Sequence, residues 1–344
     1  MPTHEVRDGL ALKIRRRSLR EWILDSSIYY SFDATGYQRH AARGDGGIGE
    51  STSVDQSHVL VTGANSGIGF ALCDQLMQRR VQVTLLCRSE ERGKIAQSKL
   101  RNAWPSAPKP QLLIADITDL TQLDRAGTLL GELIARGDLP KLSCLVHNAG
   151  LLPLSQQFTS TGHELTVGAH LIGPARLNAA LIPLMAKHSR IIYMSSGGMY
   201  FAPLSVKEMT RYSEETQSTY NGVNAYALTK RAQVEYAKIL HDRLAIKDAL
   251  IDVQAIHPGW ADTPGVESSL KGFHKRMEGR LRTPEQGAAP TTWLCLQPPL
   301  KRSYFWFDWS PRSPYLMGKR PSRSAVDDLW NMVLEGAQLS TDWI

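Results

Sequence analysis

Tyr226 and Lys230 stand four positions apart in the segment YALTK, within a stretch that has helical spacing. Residues four apart share one face of a helix, so the phenol and the ammonium would point the same way. A tyrosine donates a proton near neutral pH only if its pKa of about 10 falls, and a lysine ammonium lowers it. The pair could therefore protonate the alkoxide that forms when a nicotinamide reduces a carbonyl group.

A second pair with the same spacing, Tyr315 and Lys319, has a different setting. Three prolines and a glycine interrupt residues 311–321, which is a poor composition for a helix. The helical pattern that contains Tyr226 follows a predicted strand. We therefore interpret Tyr226 and Lys230 as the functional pair and the second match as a coincidence.

A glycine-rich turn occupies residues 62–69 (TGANSGIG), between a predicted strand and a predicted helix. Gly63, Gly67 and Gly69 allow a tight turn whose N–H groups can approach a pyrophosphate, next to the positive end of the helix dipole. A tight turn without a ligand is the alternative. Arg88 directly follows the second strand, where an acidic residue would favour NAD(H), and its guanidinium suits a 2′-phosphate. The prediction is NADP(H) in preference to NAD(H), with a plain surface arginine as the alternative.

The elements that position these residues alternate along the chain. Strands are predicted over residues 58–62, 81–87, 111–115, 142–147, 190–195, 251–257 and 304–307. Helices are predicted over residues 67–80, from about 89, and over 119–136, 162–187, 224–245 and 284–296. Such alternation requires crossover connections and a parallel sheet that is covered on both faces. The expected fold is α/β: a single doubly wound parallel-sheet (Rossmann) domain.

The chain divides into three predicted parts. Residues 1–57 form an N-terminal arm and linker, residues 58–310 the cofactor-binding catalytic domain, and residues 311–344 a tail with a short helix over 325–337. Basic residues alternate with apolar ones in the first 30 positions. That pattern allows a membrane-surface helix or an organelle presequence, but acidic residues among them favour a solvated arm. The predicted location is the cytoplasm.

Composition excludes several classes of protein. The 344 residues are 42% apolar and 21% charged, which excludes disordered, collagen-like and disulfide-scaffold chains. The net charge of +7 is spread along the chain without a basic stripe, so no nucleic-acid partner is expected. None of the four cysteines has zinc-site spacing, and we expect small buried side chains and no metal. No stretch is long and apolar enough to span a bilayer.

The spacing T-G-x-x-x-G-x-G resembles the fingerprint of the short-chain dehydrogenase/reductase superfamily. Further matches are Asp116-Ile117, Asn148-Ala149-Gly150, Ser196, the Tyr226/Lys230 pair, and Pro258-Gly259 with Thr263. The resemblance, with Arg88 added, implies a cofactor-binding set of Gly63, Asn65, Ser66, Gly67, Ile68, Gly69, Arg88, Asp116, Ile117, Asn148, Ala149, Gly150, Tyr226, Lys230, Pro258, Gly259 and Thr263.

The resemblance also implies catalytic roles. Ser196 would polarise the substrate carbonyl, Tyr226 would be the general acid or base, and Lys230 would bind the nicotinamide ribose. Two positions depart from the pattern. His147 replaces the first Asn of Asn-Asn-Ala-Gly, and His170 stands where an Asn usually holds a water that relays protons to the lysine. An imidazole could hold that water or merely pack, so both readings of His170 stay open.

The similarity narrows to one subgroup of the superfamily. The block HPGWADTPGV (257–266) with GFHKRMEGRLRTPEQGA (272–288) carries it, together with SSGGM (195–199), YFWFDWSPRSPYL (304–316) and FDATGYQRHA (32–41). Residues 200–223 are expected to form an insertion beside the cleft. Aromatic residues around it could line a pocket for a lipophilic compound, or pack in the core; they are Trp260, Phe273, Tyr304, Phe305, Trp306, Phe307 and Trp309.

The sequence thus predicts an NADP(H)-dependent oxidoreductase that interconverts a lipophilic carbonyl compound and its alcohol. A non-catalytic NADP(H)-binding sensor or scaffold on the same fold is the main alternative. A sugar-nucleotide epimerase or dehydratase is disfavoured, because the roughly 40 residues after the last strand are few for a second domain. The expected partner is a small molecule. A homodimer through the helix after the fourth strand and the Tyr226 helix stays open, as does peripheral membrane contact by the arm.

Overall fold

The computed structural model describes residues 6–7, 10–11, 24, 27–42, 57–214, 220–247, 249–315 and 320–344. A small antiparallel pair is formed by β1 (Val6–Arg7) and β2 (Leu10–Ala11). The main sheet has eight strands, in the order β10-β9-β8-β7-β6-β3-β4-β5. They are β3 (His58–Thr62), β4 (Gln82–Cys87), β5 (Gln111–Ile114), β6 (Leu142–His147), β7 (Met185–Met194), β8 (Ile251–His257), β9 (Phe305–Phe307) and β10 (Ser310–Arg312).

All neighbouring strands of this sheet run parallel except β10, which pairs antiparallel with β9 and places Pro311 opposite Trp306. Within the main sheet, the first strand along the chain is β3, which is an inner strand. The chain then proceeds outward through β4 and β5 and returns to β6 on the other side of β3. The direction of winding therefore reverses between β3 and β6. In open parallel sheets, ligands bind at the carboxyl ends of the strands at such a point.

Helices cover both faces of the sheet. They are α1 (Ile28–Ser31), α2 (Ala34–Ala41), α3 (Gly67–Gln78), α4 (Glu90–Ala103), α5 (Leu120–Ala135), α6 (Leu165–Val167), α7 (Gly173–Leu181), α8 (Val206–Glu214), α9 (Gly222–Ile246), α10 (Pro264–Ser269), α11 (Lys271–Arg276), α12 (Pro284–Cys295) and α13 (Arg323–Gly336). A π-helical turn, Gly168–Ile172, joins α6 to α7. Short 3₁₀ turns span Ile182–Leu184 and Gly197–Phe201.

The strands divide the core into two apolar layers. Leu60 of β3 belongs to the layer under α5, α7, α9 and α13, whereas Val59 and Val61 belong to the layer under α3, α4 and α12. Successive side chains of a strand point to opposite faces, so a strand buried on both faces is expected to carry mostly apolar side chains. The predicted doubly wound parallel sheet is confirmed.

The predicted helix over 162–187 is wrong in its bounds. The helical region starts at Leu165, and β7 already begins at Met185 rather than at residue 190. The exposed side chains of Lys187 and His188 hide the first part of this strand from a search for apolar runs. His188 also has φ of +62°, and the β6–β7 register shifts between Leu142 and Cys144.

Four cysteines pack inside the fold as small apolar side chains. All are buried and free of disulfides, although the Sγ atoms of Cys144 and Cys295 lie 3.7 Å apart. Burial raises the pKa of Cys87 to about 11, so its thiol stays protonated at neutral pH.

In the described ranges, no helix is both long and apolar enough to cross a bilayer. The basic residues 13–20 and most of the linker lie outside those ranges.

His58 gives the fold a predicted sensitivity to acid. Its Nδ1 donates to the carbonyl oxygen of Pro140 (2.8 Å), its Nε2 lies 2.8 Å from Oγ1 of Thr84, and burial lowers its pKa to about 4. In the unfolded chain the pKa of His58 is about 6.5. Between this pH and about 4, the unfolded chain therefore binds a proton at His58 that the folded protein does not bind. Stability should fall as pH drops from about 6.5 towards 4, by about 1.4 kcal/mol per pH unit for this group.

The test is urea unfolding at several pH values for the wild type and His58→Gln. The variant should show a shallower loss between pH 6.5 and 4.5. His188→Gln, at an exposed position, is the matched control and should retain the wild-type slope. Equal slopes in all three proteins would contradict the prediction.

Candidate active site

The glycine-rich turn joins the end of β3 to the first turn of α3. Gly63 has φ of +66° and Gly67 has φ of +53°, a region that favours glycine. A Cβ on Gly69 would lie 2.4 Å from the Gly63 carbonyl oxygen, so no side chain fits there. Ser66 is the N-cap residue of α3, and its side chain makes no capping hydrogen bond. The first N–H groups of the helix are therefore left for an anion.

Asn148 ties this turn to the neighbouring strand. Its Nδ2 donates to the carbonyl oxygens of Thr62 (2.9 Å) and Gly63 (3.3 Å). Oγ1 of Thr62 accepts from the backbone N–H groups of Asn148 (3.0 Å) and Ala149 (2.9 Å). The ends of β3 and β6 are thus fixed to each other. Gly150 follows immediately, exposed at the edge of the cleft.

Two charged side chains lie at the ends of β4 and β5. Nη1 of Arg88 is 3.7 Å from Oδ2 of Asp116, and the Arg88 side chain is 68% exposed. Oδ1 of Asp116 accepts from the N–H (2.9 Å) and the hydroxyl (2.8 Å) of Thr118, which fixes the carboxylate. Ile117, which stands between Asp116 and Thr118 in the sequence, is half-buried. The exposed guanidinium can turn towards a ligand in the cleft.

Ser196, Tyr226 and Lys230 meet at the carboxyl end of β7. The Ser196 hydroxyl accepts from the N–H of Gly198 (3.2 Å), and a Cβ on Gly198 would lie 3.7 Å from that hydroxyl oxygen and 3.9 Å from Cε1 of Tyr226. Nζ of Lys230 lies 5.6 Å from the centre of the Tyr226 ring. It donates to the carbonyl oxygen of Met194 (2.8 Å). A hydroxyl, a phenol and an ammonium therefore face one edge of the sheet, beside Gly150.

The expected lowering of the Tyr226 pKa by Lys230 is not what this arrangement gives. Burial raises the pKa of Tyr226, and the hydrogen bond from Ser196 opposes that rise. Burial also lowers the pKa of Lys230 to about 7, so its ammonium is only partly charged at neutral pH. The two side chains share a helix face as predicted, but desolvation is the largest cause of the pKa shift at each of them.

His170 lies in the π-helical turn and is fully buried. Its Nε2 accepts from the N–H of Leu151 (3.1 Å), so the proton of the neutral ring sits on Nδ1, which bonds to Oγ1 of Thr229 (2.8 Å). Burial and the charge of Lys230 hold the pKa of this ring well below its usual range. Both ring nitrogens have protein partners. Of the two readings of His170, this geometry favours packing over holding a relay water.

Gln233 makes a connection that sequence reasoning missed. Its Oε1 accepts from Nζ of Lys230 (3.0 Å), and its Nε2 donates to the carbonyl oxygen of His170 (2.8 Å). The amide thus joins the lysine to the π-helical turn. A glutamine three positions after Lys230 on the same helix was the available signal.

The loop after β8 closes the cleft opposite α3. Pro258 and Gly259 are buried, and Gly259 has φ of +81°. Thr263 is the N-cap residue of α10, accepting from the N–H of Val266 (3.3 Å). A Cβ on Gly67 would lie 3.4 Å from Cγ2 of Thr263, so this loop borders the glycine-rich turn.

The sequence-predicted residues thus come together along one edge of the sheet. Asn65 and Ser66 lie in the turn itself, and Ile68 on the first turn of α3 packs against α12. Tyr315 of the rejected pair donates its hydroxyl to Oε2 of Glu235 (3.0 Å), and Lys319 lies outside the described residues. In the described ranges, no group of three or more His, Cys, Asp or Glu side chains is placed to hold a metal ion.

Of the two readings of these aromatic residues, packing in the core holds for most of them. Trp306 is 1% exposed, and its Nε1 donates to Oε1 of Gln254 (2.9 Å). Phe305 and Phe307 are buried as well, because β9 is covered on both faces, and Trp309 after the strand is also buried. Only Trp260, Phe273 and Tyr304 are partly exposed. The short aromatic strand is part of the core.

Sequence reasoning also missed Phe32 and Arg282, which pack against the Pro258–Gly259 turn. A Cβ on Gly259 would lie 2.3 Å from Nε of Arg282, and the Phe32 ring centre is 4.3 Å from that of His257. Their distance along the chain gave no local signal, although both lie in segments that carried the subgroup resemblance.

Comparison with known proteins identifies the family. A sequence model described as short chain dehydrogenase matches residues 57–206. The dehydrogenase/reductase SDR family member 12 of Bos taurus is 32% identical over 274 residues, covering 78% of this chain and 82% of that protein. Retinol dehydrogenase 14 of Mus musculus is 25% identical over 312 residues, covering 86% and 88%. The subgroup resemblance noted in the sequence is to the first of these proteins, and it is confirmed.

Solved structures show the same fold. An uncharacterized protein from Mycobacterium paratuberculosis superposes with a TM-score of 0.65 at 20% identity, covering 85% of this chain and 97% of that one. A short chain dehydrogenase from Shigella flexneri, complexed with NADP, superposes with a TM-score of 0.56 at 21% identity, covering 74% and 97%. The chain belongs to the short-chain dehydrogenase/reductase family of oxidoreductases.

Proposed function

We propose that this protein interconverts a lipophilic carbonyl compound and its alcohol with NADP(H), using Tyr226 as general acid and base. One observation carries the proposal: the Ser196 hydroxyl, the Tyr226 phenol and the Lys230 ammonium face one edge of the sheet, beside the glycine-rich turn. A set of donors around a developing alkoxide is what carbonyl reduction requires.

The residues present fit a dinucleotide. The uncapped start of α3 and the positive φ at Gly63 and Gly67 suit a pyrophosphate, and Asn148 holds that turn in place. Asp116 would contact the adenine, and Thr263 would contact the cofactor from the opposite side of the cleft. When bound, the nicotinamide supplies or accepts the hydride.

The side chains of this chain would manage the proton. Tyr226 would give its phenolic proton to the substrate oxygen in reduction and take it back in oxidation. Ser196, which lies beside Gly198 together with that phenol, would donate to the same substrate oxygen and orient it. Lys230 would fix the cofactor ribose, and Gln233 would hold the lysine in place. His170, neutral and satisfied at both nitrogens, would support the wall behind Lys230.

Arg88 supports NADP(H) as the preferred cofactor, and this gives a testable prediction. Replacing Arg88 by alanine should raise KM for NADPH by about 10-fold to 100-fold, the loss of one charge-assisted hydrogen bond, and change KM for NADH little. Steady-state kinetics with each cofactor measures the effect. Arg101→Ala, on the exposed face of α4, is the control. Equal increases for both cofactors would show that Arg88 does not select the 2′-phosphate.

The lipophilic substrate is inferred from the rim of the site. Leu154, Phe201 and Val223 are 72%, 72% and 52% exposed, and each lies within five residues of Gly150, Ser196 or Tyr226. Large apolar side chains exposed near reactive residues favour apolar ligands. The similarity to a protein named retinol dehydrogenase points the same way.

The experiment that tests the function is NADPH oxidation, followed by nicotinamide absorbance, over a panel of aldehydes and ketones of increasing chain length. Turnover that rises with chain length supports a lipophilic carbonyl substrate. Saturable NADPH binding without turnover on any compound would instead favour the sensor or scaffold.

We also infer a cytoplasmic location. A homodimer and membrane contact by the arm stay predictions. Tyr236 of α9 is buried within its own chain, where it stacks on Trp330 of α13, 5.7 Å between ring centres. This part of α9 serves the packing of α13.

A further inference from the structure

Residues 27–42, the N-terminal segment, are folded onto the edge of the sheet where the candidate active site lies. The segment contains α1 and α2, with Asp33 as the N-cap residue of α2 accepting from the N–H of Gly36 (2.9 Å). Oδ2 of Asp33 also binds Nη2 of Arg280 (2.6 Å), and the N–H of Ala34 donates to the Arg280 carbonyl oxygen (2.9 Å). Side-chain and backbone contacts therefore fasten the segment to the chain just before α12.

Phe32 lies between the two loops that carry predicted site residues. Its side chain is 6% exposed, and its ring centre is 4.3 Å from that of His257. Its carbonyl oxygen accepts from the N–H of Trp260 (2.8 Å), which brackets the Pro258–Gly259 turn. On the other side, a Cβ on Gly197 would lie 2.7 Å from Cε2 of Phe32. The ring is thus packed against the residue after Ser196.

Arg282 also holds the Pro258–Gly259 turn in place. It is fully buried, and it donates to the carbonyl oxygens of Pro258 (3.2 Å), Ser31 (3.1 Å) and Asp33 (3.2 Å). Both carboxylate oxygens of Asp308 accept from it as well. One guanidinium therefore joins the N-terminal segment to the Pro258–Gly259 turn.

His40 closes the network from the far end of α2. Its Nδ1 is hydrogen-bonded to Oδ2 of Asp308, and the ring packs edge-on against Phe307, 5.6 Å between ring centres. The segment is therefore attached at both ends of α2. Burial of a paired arginine, aspartate and histidine is costly unless each has its partner, so the arrangement is a specific one.

We propose that the N-terminal segment is a positioning element of the cofactor site, in which Phe32 sets the Pro258–Gly259 turn and the Ser196 loop at their working separation. The inference rests on the proposed function, because it assigns the two loops to cofactor and substrate. Loss of the Phe32 ring leaves the catalytic side chains present and lets both loops relax into the space. Cofactor affinity then falls without any change in the residues that touch the cofactor.

The test uses the full chain with Phe32→Ala, Phe32→Leu and Leu100→Ala. Leu100 is fully buried on α4, away from both loops, and serves as the control for lost packing. The first measurement is the Kd for NADPH by titration calorimetry. Phe32→Ala should raise it about tenfold, equivalent to one lost aromatic contact, and Phe32→Leu should recover part of that affinity. Leu100→Ala should lower Tm and leave Kd unchanged.

The second measurement is hydrogen exchange of the cofactor-free protein. Phe32→Ala should speed exchange in peptides covering 195–201 and 257–263, and Leu100→Ala should speed exchange around α4 instead. Faster exchange with an unchanged Kd, or unchanged exchange in both peptides, would overturn the proposal. If the alanine variant does not fold, the leucine variant decides by the same two measurements. If the wild type fails to bind NADPH, the proposed cofactor falls, and exchange still reports whether Phe32 holds the loops.

Discussion

Replacing Tyr226 by phenylalanine is expected to lower kcat by about 100-fold to 10,000-fold, the range for loss of a general acid or base. The substitution removes one oxygen atom and keeps the ring that packs 5.5 Å from the His170 ring and 5.6 Å from Nζ of Lys230. Cofactor affinity and Tm should therefore stay close to those of the wild type. Steady-state kinetics on the best substrate of the panel, with a parallel NADPH titration, measures both.

The control for Tyr226 is the other tyrosine with the same spacing. Tyr315→Phe removes a hydroxyl that contacts Glu235, and it should leave kcat little changed. If the two variants were equally active, the phenol of Tyr226 would not be the proton donor. If both lost activity, the effect would lie in the packing around α9 rather than in proton transfer.

Arg190→Met should lower the free energy of unfolding by about 3–5 kcal/mol, the cost of leaving a charge buried without its partner. Arg190 and Asp252 are only 3% and 4% exposed, and they meet through two hydrogen bonds of 2.7 and 2.8 Å. The guanidinium also donates to the carbonyl oxygens of Leu294 and Pro298, where α12 ends. Its removal breaks the side-chain hydrogen bonds that join β7 to β8 and to the end of α12. Guanidinium unfolding at pH 7 measures the loss.

Two further variants show whether burial is the cause. Arg136→Met breaks an exposed pair with Asp138 of 3.0 Å and should cost less than about 1 kcal/mol. Adding Asp252→Leu to Arg190→Met removes the unpaired carboxylate and should restore part of the stability. A loss in Arg190→Met no larger than in Arg136→Met would show that the buried pair is not holding these elements.

The sheet and the glycine-rich turn could be predicted because their signals are local. Most inner strands contain an apolar run, and residues 62–69 place glycine where the chain has positive φ or no room for a side chain. The Tyr226/Lys230 pair was found for the same reason, since i and i+4 share a helix face. Residues that are close in the sequence are also held close in space, so their types and spacing indicate the local structure they form.

Other features lie beyond local patterns. The π-helical turn Gly168–Ile172 adds a residue to a helix turn, and a search with a 3.6-residue period passes over it. The aromatic residues of β9 look the same in sequence whether they line a cleft or fill a core. The position of β9 inside the sheet, between β8 and β10, and the packing on both of its faces decide that they are buried.

The N-terminal segment shows the same limit at long range. Asp33 contacts Arg280 across 247 positions, and His40 contacts Asp308 across 268. Neither pair has a spacing rule that would single it out. In the sequence the segment reads as part of a solvated N-terminal arm, and only the folded chain shows Phe32 between two site loops.

The edge of the sheet at β10 bears on how the protein behaves at high concentration. A bare edge strand can template the strand of another molecule and so begin a polymer. Here the last strand is three residues long and runs against its neighbour, and its central residue, Pro311, has no N–H to offer. An incoming strand would find a short, interrupted ladder. The short, proline-interrupted β10 therefore opposes the addition of strands from other molecules at that edge.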